Sequence, residues 1–341
     1  MNDTKKLHSI CIYGTGGIGG FFGAKIAHTC NHDHTLDYDC FFVARGDHLR
    51  AIRQNGITLI SEHNTLTGVP AAATDHMKDL PDPDLIFLCV KSYDLDGAVK
   101  AIVPKVHENT VILPLLNGAD IYERIRKNMA AGVILPACVY VGTHIQSPGV
   151  IYQSGGNGKI LFGADPKHER FDPQPVTDFL DAMQINYQWR TDPYPDIWSK
   201  YLFIASFALV TVFFNKTIGE VVADPAATQT AHEIMGEIHA IATARGVRLP
   251  EQVISNQLAM AARFPYDTKT SFQRDVASKG RVNEGDLYGG TILRQGADLG
   301  VPTPVTRSVY SAVQKRLSAD QSHNGAGHAG GNGAGDNGSQ A

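Results

Sequence analysis

Residues 9–23 read SICIYGTGGIGGFFG, an apolar run that ends in a glycine cluster and passes straight into a second apolar stretch. The spacing Gly14-Thr15-Gly16-Gly17-Ile18-Gly19 has a mechanical purpose when a strand precedes it and a helix follows. Gly14 permits a tight turn, Gly16 lets the backbone come close to a pyrophosphate, and Gly19 lets the helix pack closely on the strand. With Thr15, Gly17 and Ile18 completing the loop, the helix N-terminus offers unpaired N–H groups and a positive dipole to phosphate. The stretch therefore predicts a strand over Ser9–Tyr13, a dinucleotide-binding turn and a helix over Ile18–Thr29.

Outward from this motif, short apolar runs recur at Asp39–Ala44, Leu85–Val90, Val111–Leu116 and Val133–Val141, with a helical stretch at Asp94–Val103. Apolar runs without strict alternation, separated by helices, predict parallel strands covered on both faces, hence an α/β domain. Gly149–Gln153 and Lys159–Gly163 flank SGGNG and read as a hairpin. The Pro-rich joint TDPYPDIW marks a change near Arg190. Beyond it, Ile197–Phe214, Thr228–Arg245, Glu251–Ala262 and Asp286–Leu299 carry helical spacing, so the second domain is expected to be all-helical. The expected division is residues 7–190, 191–318 and a disordered Gly/Asn/Ala/His-rich tail over 319–341.

The 341 residues suffice for two domains with a large core, and 43% hydrophobic with 19% charged residues suits a folded, soluble chain. A net charge of -4 argues against nucleic-acid binding. The five cysteines are odd in number and form no CxxC pair, so neither a disulfide framework nor a thiolate metal site is expected. His323 and His328 in the tail, and His28, His32 and His34 in the loop before Asp39, read as solvated side chains, so no metal is expected. The N-terminus has no secretory apolar region, and the longest apolar stretch, Tyr201–Phe214, falls short of the roughly 20 residues of a membrane span. The expectation is a cytoplasmic protein without a membrane partner.

At the end of the second strand an acidic residue would bond a ribose 2′-hydroxyl, whereas an arginine favours a 2′-phosphate. Here the strand ends FVARG, and Arg45 offers a planar five-donor fork suited to phosphate. Asp47, two residues on, weakens that preference slightly. NADP(H) is the expected cofactor.

The runs YGTGGIGGFFG, VARGDHLRAIRQNGITL, LCVKSYD, LLNG and IWSK, with TSFQRD and NEGDLYGGTILRQGADLGVPTP further on, resemble the ketopantoate reductases (2-dehydropantoate 2-reductases) from about Ser9 to Val305. The resemblance implies NADPH-dependent reduction of a 2-keto acid, as in ketopantoate to pantoate for pantothenate biosynthesis. It also implies a Rossmann domain joined to a helical domain of the 6-phosphogluconate dehydrogenase C-terminal type, with the active site in the cleft between. By motif, Arg45 matches the 2′-phosphate residue, and Lys91 and Asn117 match residues lining cofactor and carbonyl. Lys200 matches the catalytic lysine, and Ser271 and Glu284 match the substrate serine and the late glutamate.

The residues themselves suit those roles. Hydride transfer to a ketone leaves charge on the carbonyl oxygen, and an ammonium there both neutralises it and donates a proton. Lys200 opens an apolar helical stretch, so burial is expected to lower its pKa toward working pH. Glu284 would hold that amine protonated, or else merely cap a helix as part of Asn283-Glu284-Gly285-Asp286. Ser271 bonds a substrate carboxylate or caps the helix after it. Asn117 and Lys91 fall at carboxyl ends of predicted strands, where ligands of open α/β sheets bind.

One departure concerns the substrate. Four and eight residues after the catalytic lysine the best-known members carry asparagines, whereas this chain has Ile204 and Ala208. An apolar wall discriminates weakly, so a 2-keto acid with a less polar end is expected. A dehydrogenase acting on β-hydroxy acids and a non-catalytic NADPH-binding sensor remain alternatives, and a homodimer stays open.

Overall fold

In the computed structural model, which describes residues 6–278 and 282–325, Ser9–Tyr13 forms strand β1 with every residue buried. Helix α1 (Gly17–His32), β2 (Asp39–Val43), α2 (Gly46–Asn55) and the short strands β3 (Ile57–Ile60), β4 (Thr65–Gly68) and β5 (Ala72–Thr74) follow. The alternation continues with β6 (Leu85–Leu88), α3 (Leu95–Ile102), β7 (Val111–Pro114), α4 (Ile121–Arg126) and β8 (Val133–Ile134). Six of these strands form a sheet in the order β5-β2-β1-β6-β7-β8, parallel throughout. Ile12 of β1 lies opposite Phe42 on one side and Phe87 on the other. Both faces are covered, which is why these strands are continuous apolar runs and not alternating ones. The order is the doubly wound, dinucleotide-binding one, and it reverses between β1 and β6, opening a crevice at their carboxyl ends.

A second sheet takes the order β11-β10-β3-β4, built with β10 (Val150–Gly163) and β11 (Tyr187–Arg190), and β9 (Ala137–Ser147) pairs β10. The expected hairpin around SGGNG is not formed. β10 runs unbroken through those residues and pairs antiparallel with β9, with register shifts flanking Gly155. The chain reverses earlier, at Pro148-Gly149, where Gly149 has φ +78°. The glycines of SGGNG serve bulging and close packing instead: a Cβ on Gly158 would meet the Phe21 ring of α1 at 2.3 Å. Helix α5 (Gln174–Ala182) packs Phe179 into the same core as Phe22, Phe42 and Phe87.

The chain divides into two units, Met1–Tyr201 with Val247–Pro250, and Leu202–Gly246 with Glu251–Ala341. This division falls inside helix α6 (Tyr194–Phe214), with Lys200 in the first unit. At 21 residues α6 is long and apolar enough to cross a membrane, contrary to the estimate from the shorter apolar run, but 72% of its most apolar window is buried. It is a core helix, apolar all round because it is enclosed.

Among its described residues the second unit is helical throughout: α7 (Ile218–Ala223), α8 (Pro225–Ala244), α9 (Val253–Ala261), α10 (Ser271–Ala277), α11 (Thr291–Leu299) and α12 (Pro304–Gly325). Local signals start several of them. Thr217 with Glu220 and Thr270 with Gln273 form capping boxes for α7 and α10. Asp224 caps α8 ahead of Pro225. The stretch expected to be helical from Asp286 opens with a π-helical turn, Asp286–Gly290. α12 extends to Gly325, into the stretch expected as a tail, most of which, residues 326–341, lies outside the described residues. The packing of α12 onto its unit includes Glu237 of α8, whose carboxylate accepts from Val305 N (2.7 Å) and Thr306 N (2.9 Å).

Candidate active site

The glycine loop joins β1 to α1 at the reversal of strand order. Gly14 adopts φ +90° and donates its N–H to Val43 O at 3.0 Å, tying the turn to β2. A Cβ on Gly19 would lie 2.0 Å from Gly14 O, so helix and loop approach as the spacing predicts. Gly16 is the N-cap of α1, with no side-chain cap, and a Cβ there would meet nothing within 4 Å. That leaves an uncapped helix N-terminus facing open space. Beside it, Thr15 Oγ1 and Thr143 Oγ1 are buried without hydrogen-bond partners. The donor set fits a dinucleotide's phosphates.

Arg45 lies two residues past β2 and is the N-cap of α2, its side chain 68% exposed and 3.9 Å from Asp94. Burial raises the Tyr13 phenol, and the charge and hydrogen bond of Arg45 oppose that rise. Lys91 follows β6 as the half-buried N-cap of a short 3-10 turn, its carbonyl accepting from Asp94 N at 2.9 Å. Asn117 lies just past β7.

Lys200, on the second turn of α6, donates from Nζ to Asn117 Oδ1 at 2.8 Å and to Val139 O at 2.7 Å. Its Nζ also stands 5.5 Å from the centre of the Tyr140 ring. Burial pushes its pKa below the ordinary lysine value. Two oxygens and a ring face thus hold one ammonium in a fixed direction, next to the carboxyl edge of the sheet. Tyr140 was not signalled by the sequence; it is one residue of an apolar run, and on β9, opposite Lys159 of β10, it is 41% exposed.

The remaining expected residues belong to the second unit. Glu284 is buried at 5% exposure and its carbonyl accepts from Tyr288 N at 3.3 Å. Ser271 Oγ lies 3.4 Å from Tyr288 Oη. Ser271 is not the cap of α10, since that position is Thr270. Ile204 is half-buried and Ala208 buried, at helical spacing from Lys200 along α6. Among the described residues no group of three or more His, Cys, Asp or Glu is arranged to hold a metal. All five cysteines are free.

A doubly wound sheet with a glycine loop at its switch point, together with a buried and clamped lysine, fits a nicotinamide-dependent oxidoreductase. The sequence profile described as "Ketopantoate reductase PanE/ApbA" matches residues 10–167, and that described as "Ketopantoate reductase PanE/ApbA C terminal" matches residues 193–317. The chain belongs to the ketopantoate reductase family. Among curated relatives, the "Uncharacterized oxidoreductase YkpB" of Bacillus subtilis is 24% identical, covering 89% of this chain and 97% of its own length. The 2-dehydropantoate 2-reductase of Mesorhizobium japonicum is 27% identical, covering 92% and 98%. The crystal structure of a PanE/ApbA family ketopantoate reductase from Ralstonia eutropha superposes with a TM-score of 0.81 at 23% identity, covering 92% of this chain and 99% of that one. The protein is accordingly an NAD(P)-dependent oxidoreductase acting on a small molecule.

Proposed function

We propose that this enzyme reduces a 2-keto acid to the 2-hydroxy acid with NADPH, as a 2-dehydropantoate 2-reductase does, in the cytoplasm. The observation that carries the reading is the Lys200 ammonium clamped by Asn117 Oδ1 and Val139 O at 2.8 and 2.7 Å. When bound, the reduced nicotinamide supplies the hydride. Lys200 supplies the proton: its Nζ–H donates to the carbonyl oxygen as charge develops there, and the amine is reprotonated from solvent afterwards. Asn117 and Val139 O aim the ammonium, and its burial makes the proton easier to release. Glu284 is assigned the supporting carboxylate, and Ser271 a substrate contact. The uncapped N-terminus of α1 takes the pyrophosphate, with Lys91 lining the cofactor. Arg45, exposed just past β2, takes the 2′-phosphate, which is the reason for preferring NADP to NAD.

Ile204 and Ala208 favour a substrate whose far end is less polar than that of ketopantoate, since neither side chain can hydrogen-bond. With ketopantoate as substrate the enzyme would serve pantothenate biosynthesis. With a less polar 2-keto acid it would not. The test is consumption of NADPH with ketopantoate and a panel of aliphatic and aromatic 2-keto acids, for the native enzyme and Lys200→Ala. Turnover that survives the substitution removes Lys200 from the chemistry. A clear kcat/KM preference for ketopantoate removes the less polar substrate.

A further inference from the structure

His48 lies three residues after Arg45, in the first turns of α2, and joins three segments of the first unit. Gly149 N–H donates to His48 Nδ1 at 3.0 Å, so that nitrogen bears no proton. The proton is on Nε2, which donates to Thr15 O at 2.8 Å. Both ring nitrogens are thus used, and the tautomer is set by the backbone. Burial lowers the pKa of the ring, which keeps it in this neutral form. The Gly149 side of the contact is itself anchored. Gly149 O accepts from Thr58 N at 2.8 Å, and a Cβ on Gly149 would meet Ala51 of α2 at 3.0 Å.

Thr15 O belongs to the peptide that links Thr15 to Gly16. In a planar trans peptide the C=O and the N–H point to opposite sides. Holding Thr15 O toward α2 therefore turns the Gly16 N–H to the opposite side of the peptide, away from α2. It also keeps a carbonyl oxygen from facing a phosphate, which would repel it. We propose that His48 is a positioning residue for cofactor binding, orienting the Thr15–Gly16 peptide so that the glycine loop presents N–H groups to the dinucleotide phosphates. The proposal rests on the reading of that loop as the phosphate site.

Two variants separate the two halves of the contact. His48→Gln reaches Thr15 O with an amide N–H in the place of Nε2–H and gives up Gly149. His48→Asn keeps an acceptor in the place of Nδ1 and gives up Thr15. The dissociation constant of NADPH is measured on each intact variant by titrating the nicotinamide fluorescence. His48→Asn is expected to weaken binding about five- to tenfold, the loss of one oriented hydrogen bond and the loop it holds. His48→Gln should stay within about twofold of the native value, and kcat at saturating NADPH should hold within about twofold in both. His48→Ala carries the same expectation as His48→Asn and stands in for it if that variant does not fold. Native affinity in the variants without the Thr15 donor, or equal weakening in His48→Gln, overturns the proposal. Gly16→Ala serves as the control. If it leaves NADPH affinity unchanged, the loop is not the phosphate site and the proposal falls with that reading; if it weakens binding while His48→Asn does not, only the role of His48 falls.

Discussion

Lys200 Nζ lies 2.8 Å from Asn117 Oδ1, joining residues 83 apart in sequence, and the two are held by different elements of the same unit. The amide oxygen is an acceptor without charge, so it directs the ammonium without neutralising it.

Lys200→Ala is expected to lower kcat about a hundred- to ten-thousandfold while NADPH affinity stays within a few-fold of native. Because the reaction needs the protonated amine, activity should fall as pH rises through the Lys200 pKa. Burial depresses that pKa, so the falling limb of the kcat/KM profile should lie below the ordinary lysine value of 10.5. A limb at or above that value would contradict the assignment.

The glycines separate sterically from functionally constrained positions. Gly19→Ala places a Cβ 2.0 Å from Gly14 O and 2.9 Å from Cys89 Cβ, so it should cost about 1–3 kcal/mol of stability, read by urea denaturation. Gly16→Ala meets open space and should unfold like the native protein, yet bind NADPH less tightly.

Arg45 should decide between the two nicotinamide cofactors. With an exposed fork whose ion pair to Asp94 is only a loose 3.9 Å contact, Arg45→Ala is expected to raise KM for NADPH about ten- to a hundredfold, and KM for NADH far less. Equal effects on both cofactors would remove the 2′-phosphate from its role.

A substitution on α6 is expected to shift substrate choice. Ile204→Asn restores a hydrogen-bonding group four residues from Lys200 at a half-buried position and should raise the kcat/KM ratio of ketopantoate to an aliphatic 2-keto acid by about tenfold or more. Steady-state rates with both substrates check it.

Stability in acid should depend on Asp165. Its side chain is fully buried and accepts from Arg126, Tyr122 Oη (2.7 Å), Ile134 N (2.9 Å) and Lys167 N (2.9 Å), with His168 Nδ1 at 2.8 Å. Burial alone would raise its pKa, but these hydrogen bonds outweigh it and hold the carboxyl below the usual range. A depressed carboxylate contributes stability above its unfolded pKa and loses it as pH falls through the folded one. Asp165→Asn leaves the buried Arg126 without its counter-charge, so it should cost about 3–5 kcal/mol near neutrality. Its loss of stability in acid should be shallower than the native one, because the titrating group is gone.

The strand, loop and helix of residues 9–32 were legible in the sequence because their causes are local: a continuous apolar run, a positive φ at Gly14, and glycines where backbone approaches backbone. The parallel sheet and the helical second unit followed from periodicity for the same reason. SGGNG misled because glycine permits a turn and equally permits a bulge beneath an aromatic ring; which one occurs depends on Phe21, over a hundred residues away in the chain. The division of the two units inside α6 has no counterpart in composition, because the apolar helix runs through it unchanged.

Residue types and local spacing alone pointed to a strand, a glycine turn suited to a dinucleotide phosphate and a helix, and the family motif pointed to Lys200 as the proton donor. Only the tertiary structure decided that Lys200 meets Asn117, Val139 O and Tyr140, that His48 meets Thr15, and that Asp165 gathers its donors. Those contacts join segments far apart in the chain, and hydrogen bonds are selective in direction and distance; neither quantity exists until the elements have packed.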